Sequence, residues 1–310
     1  MKDTAVIPRN RKSSWTKMRQ SWQLYVIILP VLLYFLIFKY IPMYGVQIAF
    51  KDYIAVEGIF GSPWAGLKHF ERFFNSYYFW RLIRNTLGIG LYELAVGTPL
   101  PILLALLINE VRVRYFKRFV QTVTYAPHFL STVVIVGMLF LFLDPTGIIN
   151  VFLSIFGVEP VSFMTEANWF KTIYVFSGAW QETGWKSIIY MAALAGINPE
   201  LHEAAKIYGA SRLRRIWHID LPGIRPTIII LLILHTGNVM SVGFEKVFLM
   251  QNELNMRASD VIATHVYRAG IQGAEFSYAT AVGLFDSVIG LILLVSVNYI
   301  ARRTTEASLW

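Results

Sequence analysis

Six long apolar runs constrain this 310-residue chain more than any other feature. They extend from Leu24 to Ile41, Thr86 to Ile108, Phe119 to Leu143, Thr172 to Ile197, Ile224 to Leu249 and Ala279 to Ala301. A helix needs about 20 predominantly apolar residues to cross the hydrocarbon core of a bilayer, and the runs meet or approach that length. Helices on the surface of a soluble protein would instead carry one apolar stripe and one polar face, and few segments here do. With 55% hydrophobic and only 15% charged residues, the chain has a membrane protein's balance. The expected fold class is an all-α membrane protein with six transmembrane helices.

A net charge of +9 raises the question of nucleic acid, so the position of the charges matters. Sixteen Lys and Arg residues fall before the first run, between the second and third, between the fourth and fifth, and after the sixth. The longer intervening loops hold eight: Lys51, Lys68, Arg72, Arg81, Arg84, Lys171, Arg257 and Arg268. By the positive-inside rule both termini are cytoplasmic, with Arg81 and Arg84 a local exception. The charge is explained without nucleic acid. Residues 1–20 read as a basic cytoplasmic tail drawn to anionic headgroups, and 21–310 as the transmembrane domain. The basic start and long first run, with no small-residue cleavage site behind them, read as an uncleaved anchor. The absence of cysteine excludes disulfides, thiolate metal sites and thiol catalysis.

Residues 43–84 are rich in rings (Phe50, Tyr53, Phe60, Trp64, Phe70, Phe73, Phe74, Tyr77, Tyr78, Phe79, Trp80), which suits an interfacial belt, a re-entrant cap or a docking surface. Pro99, Pro101 and Pro127 imply a packed bundle whose neighbours satisfy the freed carbonyls. The run from Ile148 to Val158 is too short to span and reads as an interfacial helix. The fourth run is the least apolar, with Ser177, Trp180, Gln181, Glu182, Thr183, Trp185 and Lys186 near its middle. A charge at mid-bilayer costs about 2.5–3.5 kcal/mol on insertion scales, so Glu182 and Lys186 are expected to pair along the helix or to face water. His235, Asn238 and Ser241 lie at mid-depth in the fifth run, and Asp286 and Ser287 in the outer half of the sixth. These residues form either helix-to-helix hydrogen bonds or a polar pathway.

Catalytic and metal motifs fail on inspection. Gly178-Ala-Trp-Gln-Glu-Thr-Gly-Trp-Lys-Ser187 has the wrong spacing for a phosphate loop and no strand before it. His202-Glu203-Ala-Ala-Lys206 carries a lysine where a zinc protease helix needs its second histidine. No catalytic residue, metal site or resident cofactor is expected.

Between the fourth and fifth runs lies a hydrophilic stretch, residues 198–226. Asn198 is a good N-cap, Pro199 suits the first helical position, and Glu200 and Glu203 favour the early turns. Gly209 breaks this helix. Ser211 caps a second, which places Leu213, Ile216 and Trp217 on one face and is expected to stop at Pro222. Glu203-Ala204-Ala205, Gly209-Ala210, Ile219-Asp-Leu221-Pro222 and Pro226 are similar in type and spacing to the EAA loop of the permease subunits of ATP-binding-cassette importers. Tyr40-Ile-Pro-Met-Tyr, Gly66-Leu-Lys-His-Phe70, Asn85-Thr86-Leu87, Gly243-Phe-Glu-Lys-Val-Phe-Leu249 and Phe276-Ser-Tyr-Ala-Thr-Ala-Val-Gly-Leu-Phe285 extend the resemblance to the maltose-permease-like carbohydrate-uptake importers. Where that family usually has an acidic residue before the loop glycine, this chain has Tyr208.

The resemblance implies a type I importer permease fold in a bacterial cytoplasmic membrane. It also implies a second homologous permease subunit, two ATPase subunits that use ATP and Mg, an external solute-binding protein and an oligosaccharide substrate. Glu203, Ala204, Ala205, Gly209, Ala210, Leu213, Ile216, Trp217, Leu221 and Pro222 are the implied ATPase-coupling residues. Since sugars present hydroxyls and an apolar face, Trp180, Gln181, Glu182, Trp185, His235 and Asn238 are the candidate substrate contacts. The alternatives are a permease for a non-sugar solute, or a membrane enzyme or signalling protein.

Overall fold

The computed structural model describes residues 21–305 together with 308 and 309; the basic tail assigned to 1–20 lies outside the described residues. Among the described residues the architecture is helical, with an isolated antiparallel bridge between Lys51 and Trp64. The principal helices are α1 (Trp22–Phe50), α2 (Phe79–Glu110), α3 (Arg114–Phe129), α4 (Thr132–Phe142), α5 (Ala167–Ala195), α6 (Pro199–Ile207), α7 (Arg212–Gly237), α8 (Phe244–Met250), α9 (Ile262–Tyr267) and α10 (Phe276–Thr304). By length and composition α1, α2, α7 and α10 can each cross a membrane, and α3 with α4 makes a fifth if this pair, bent by 101°, is one span. α5 has the length at 29 residues, roughly 43 Å, but its middle is more polar.

Two expected runs are interrupted. The run from Phe119 to Leu143 breaks between Phe129 and Thr132, where Ser131 turns extended and caps α4 by accepting from the Val134 N–H at 3.3 Å. The run from Ile224 to Leu249 stops at Gly237; tight turns follow, and α8 is a separate helix. Its apolar residues Val247 and Met250 pack with Ile89, Val136, Tyr174 and Val175, so their hydrophobicity serves the protein interior. A run of apolar residues does not distinguish these two destinations.

Prolines are absorbed by widened turns. The π-turns Leu36–Tyr40 and Ile216–Asp220 precede Pro42 and Pro222, where each ring would otherwise meet the carbonyl four residues back. The expectation that Pro222 ends a short helix is therefore corrected: α7 runs on through Pro222 and Pro226.

Two further buried clusters complete the interior. One joins Leu82, Met240, Ile262, Tyr278 and Val282 with Phe73, a ring from the 43–84 segment that is fully buried in this core. The other joins Ile102, Leu106, Tyr190, Leu194 and Ile224 near the end of the bundle that carries residues 198–226. At the far end, the segment after α1 is fastened to α10: the Tyr53 N–H donates to Ser277 Oγ at 2.9 Å, and Arg72 donates to both Glu275 oxygens at 2.9 Å. From Trp22 to Phe35, α1 has no buried residue.

Close backbone approaches set the helix positions. A Cβ on Gly184 of α5 would stand 2.0 Å from the Thr124 carbonyl oxygen of α3, and one on Gly90 of α2 would stand 2.0 Å from that of Val239. Gly184→Val is expected to destabilise the solubilised chain by about 1–3 kcal/mol. Gly137→Ala, inside helix α4 where an added Cβ meets nothing within 4 Å, is expected to stabilise by up to about 1 kcal/mol. Thermal unfolding in detergent checks both.

Candidate functional site

The 198–226 segment is built from two capped turns. Asn198 Oδ1 accepts from the Glu200 N–H at 3.0 Å and starts α6. Gly209, at φ +72°, ends it: the Ala210 N–H donates to the Ala205 carbonyl at 2.9 Å and the Gly209 N–H to that of Lys206 at 3.0 Å, a Schellman closure. A Cβ at Gly209 would meet nothing, so the glycine is there for its dihedral rather than for space. Ser211 Oγ then accepts from the Arg214 N–H at 3.4 Å and α7 begins.

This corner presents apolar surface to its surroundings. Ile207, Tyr208, Leu213 and Trp217 are 84%, 88%, 79% and 70% exposed, beside exposed Glu203 and Ala204. Ala205 and Ala210 are half-buried, and Pro222 is exposed. Ile216 and Leu221 point the other way, packing onto the cluster of Ile102, Leu194 and Ile224. The expectation of Leu213, Ile216 and Trp217 on one face is thus corrected.

Close approaches between polar side chains tie the corner to the bundle. His202 Nε2 of α6 lies 3.3 Å from Oδ1 of Asp220, whose side chain is 1% exposed. Arg215 Nη2 lies 3.8 Å from Glu110 Oε2 at the end of α2. Ile197 lies over Gly223, where a Cβ would stand 2.6 Å from its Cδ1.

The polar middle of α5 meets the α3–α4 break. Gln181 Nε2 donates to the Leu130 carbonyl at 3.1 Å, a group the bend leaves without a helical partner. His128 Nδ1 lies 3.1 Å from Glu182 Oε1, and its ring stacks on Trp185 at 4.4 Å and 4°. Glu182 pairs with His128 across helices, correcting the expected pairing with Lys186 one turn along. Trp180 is half exposed beside an apolar groove of about 520 Å³ shared with Phe142, Trp169 and Phe176. His235 Nδ1 is 3.4 Å from Thr98 Oγ1, and the exposed Asn238 donates to its own helix at Leu234, 3.0 Å. Of the six candidate contacts, Gln181, Glu182 and Trp185 gather at the bend, Trp180 borders the apolar groove, His235 lies against Gly97 of α2, and Asn238 is exposed at the end of its helix.

Sequence reasoning passed over Lys246 and His128. Lys246 is buried; its Nζ donates to the Tyr174 carbonyl at 3.0 Å and lies 4.8 Å from that ring. An isolated Lys or His in an apolar run was the available signal. Among the described residues no group of three His, Asp or Glu is placed to hold a metal ion.

A helical bundle with several apolar spans, polar residues gathered at its helix breaks and an exposed apolar corner defines a multi-pass membrane protein. The chain belongs to the family described as binding-protein-dependent transport system inner membrane component, whose pattern matches residues 97–306. It is 46% identical to the polygalacturonan/rhamnogalacturonan transport system permease protein YteP of Bacillus subtilis, over 97% of this chain and 94% of that one. It is also 46% identical to protein LplB of the same organism, over 100% and 98%. Among solved structures it is similar to a chain of a bacterial ABC transporter involved in import of the acidic polysaccharide alginate (TM-score 0.87, 42% identity, 94% and 99% covered). The match extends to that of a bacterial alginate ABC transporter in complex with an alginate pentasaccharide-bound periplasmic protein (TM-score 0.88, 41% identity, 96% and 100% covered). This chain is an inner-membrane transport permease and not an enzyme.

The bend predicts distinct effects at residues of similar polarity. Glu182→Ala leaves the part-exposed His128 without its partner and is expected to cost about 0.5–1.5 kcal/mol. Asn238→Ala removes a bond within one exposed helix end and is expected to change stability by less than about 0.5 kcal/mol. Thermal unfolding of the solubilised variants separates the two.

Proposed function

We propose that this chain is one permease subunit of an ATP-driven importer that moves an oligosaccharide or polysaccharide fragment across the cytoplasmic membrane by alternating access. The six-span arrangement takes α1, α2, the α3–α4 pair, α5, α7 and α10 as crossings, with both termini cytoplasmic. The alternation of Lys and Arg supports this, and so does the placing of α5's polar groups against a helix break rather than lipid. A second homologous permease completes the pathway and faces surfaces this chain leaves open, including the unburied length of α1. An external solute-binding protein delivers the sugar. ATP and Mg are used by two separate ATPase subunits.

The observation that carries the reading is the exposed apolar corner around Gly209 in a chain with no phosphate-loop motif of its own. Ala204, Ile207, Tyr208, Leu213 and Trp217 form the surface that an ATPase cleft covers. Glu203 borders it, and Ala205, Gly209 and Ala210 set its shape. Ile216 and Leu221 serve on the inner side, joining the corner to the bundle so that movement of one moves the other, and Pro222 lies exposed just past the widened turn. Gln181, Glu182 and Trp185 lie on the substrate pathway as part of the hinge at the α3–α4 break, and Trp180, His235 and Asn238 flank it.

Gly209→Val places a β-branched residue at positive φ, which such residues rarely adopt. In the reconstituted complex uptake is expected to fall at least about tenfold while the chain still inserts and ATP hydrolysis persists. Trp217→Ala with Leu213→Ala is expected to reduce ATPase recovered on co-purification by about tenfold or more. Normal uptake by the first and full recovery with the second overturn the coupling role.

A further inference from the structure

Arg81 and Arg84 stand on the side where the positive-inside rule disfavours cations, and the coupling reading leaves them unexplained. They line a cavity of about 780 Å³ at the far end of the bundle, between the start of α2, the start of α5 and the short helix Met256–Ser259. Arg81 is committed to structure: it donates to Asp260 at 2.7 Å, and Arg268 holds the other oxygen of this buried carboxylate. Arg84, Lys171 and Arg257 also line the cavity, and among the described residues none of the three has a carboxylate partner. The scaffold holds them together. Asn85 Nδ2 donates to the backbone carbonyls of Arg257 and Asp260 at 3.0 and 3.1 Å, fixing that loop against α2. The Lys171 ammonium lies where a Cβ on Gly88 would be 2.8 Å away, so the glycine makes room for it one turn inward from Arg84.

Three like charges gathered without a counter-charge repel one another, so the arrangement is favoured when an anion enters. Tyr77 and Trp80, 89% and 77% exposed, supply ring faces to the same cavity. Cations that grip a carboxylate, beside rings that stack on an apolar sugar face, together match a uronic acid residue. We infer that this cavity is an entry site for an anionic, uronate-bearing oligosaccharide, with Arg84, Lys171 and Arg257 receiving its carboxylates and Tyr77 and Trp80 its ring faces. The inference rests on the saccharide-import reading and narrows its substrate class.

The test uses the full complex in proteoliposomes, supplied with solute-binding protein presented with either a galacturonic acid trisaccharide or neutral galactotriose. The unmodified complex is expected to import the uronate. Arg84→Gln combined with Arg257→Gln lowers its maximal uptake rate about tenfold, the scale of one lost charge-assisted hydrogen bond, and Arg84→Lys with Arg257→Lys retains most of it. The binding-protein concentration at half-maximal ATP hydrolysis stays unchanged. A rise in that concentration with normal uptake at saturation instead assigns the cations to protein docking and overturns the site. Loss of uptake by the unmodified complex in liposomes without anionic lipid assigns them to headgroups and likewise overturns the site. Import of galactotriose alone overturns the uronate site and leaves saccharide import standing; import of neither overturns both.

Discussion

Backbone that leaves the helix inside a membrane must find hydrogen-bond partners in the protein, because lipid supplies none. The rest of this structure follows from that requirement. The Leu130 carbonyl, freed where α3 turns into α4, is taken by Gln181. The turn after Gly237 is backed by α2 at Gly90, and Gly243 lies beside the Tyr174 hydroxyl of α5. α5 is therefore polar in its middle because it stands between the two breaks and serves both. Its departure from the apolar pattern of the other crossings is the counterpart of their discontinuity.

Much of this is legible in the sequence. Apolar length locates α2, α5 and α10 to within several residues, and cap chemistry places Asn198, Gly209 and Ser211 where the structure has them. What escapes has physical causes. Apolar residues facing lipid and apolar residues facing protein look alike, so α8 reads as the end of a span. Pro222 signals a helix stop only if the helix keeps α geometry, and a π-turn removes the clash that the signal assumes. The pairing of Glu182 with His128 is a contact between distant segments, and local spacing suggests Lys186 instead.

The same π-turn shapes the exposed corner around Gly209. It adds a residue to one turn of α7, so side chains before it and after it follow different registers. Leu213 and Trp217 remain on the outer face, while Ile216 and Leu221 reach the interior cluster. A regular helix carrying Pro222 would have bent or stopped there, separating the corner from the bundle. The widened turn keeps the helix continuous from the capped start at Ser211 into the core.

The corner is also braced against the bundle. The Schellman turn fixes the angle between α6 and α7, the His202–Asp220 contact closes the two arms, and Arg215 reaches Glu110 on α2. Each link is weak alone, and the Arg215 contact at 3.8 Å is long for a hydrogen bond. They join three helices in a short triangle beside the cluster that includes Ile216, Leu221 and Ile224. Through α7, Trp217 on the outer face is thus joined to the cluster that packs α2 against α5, the two helices whose other ends border the cationic cavity.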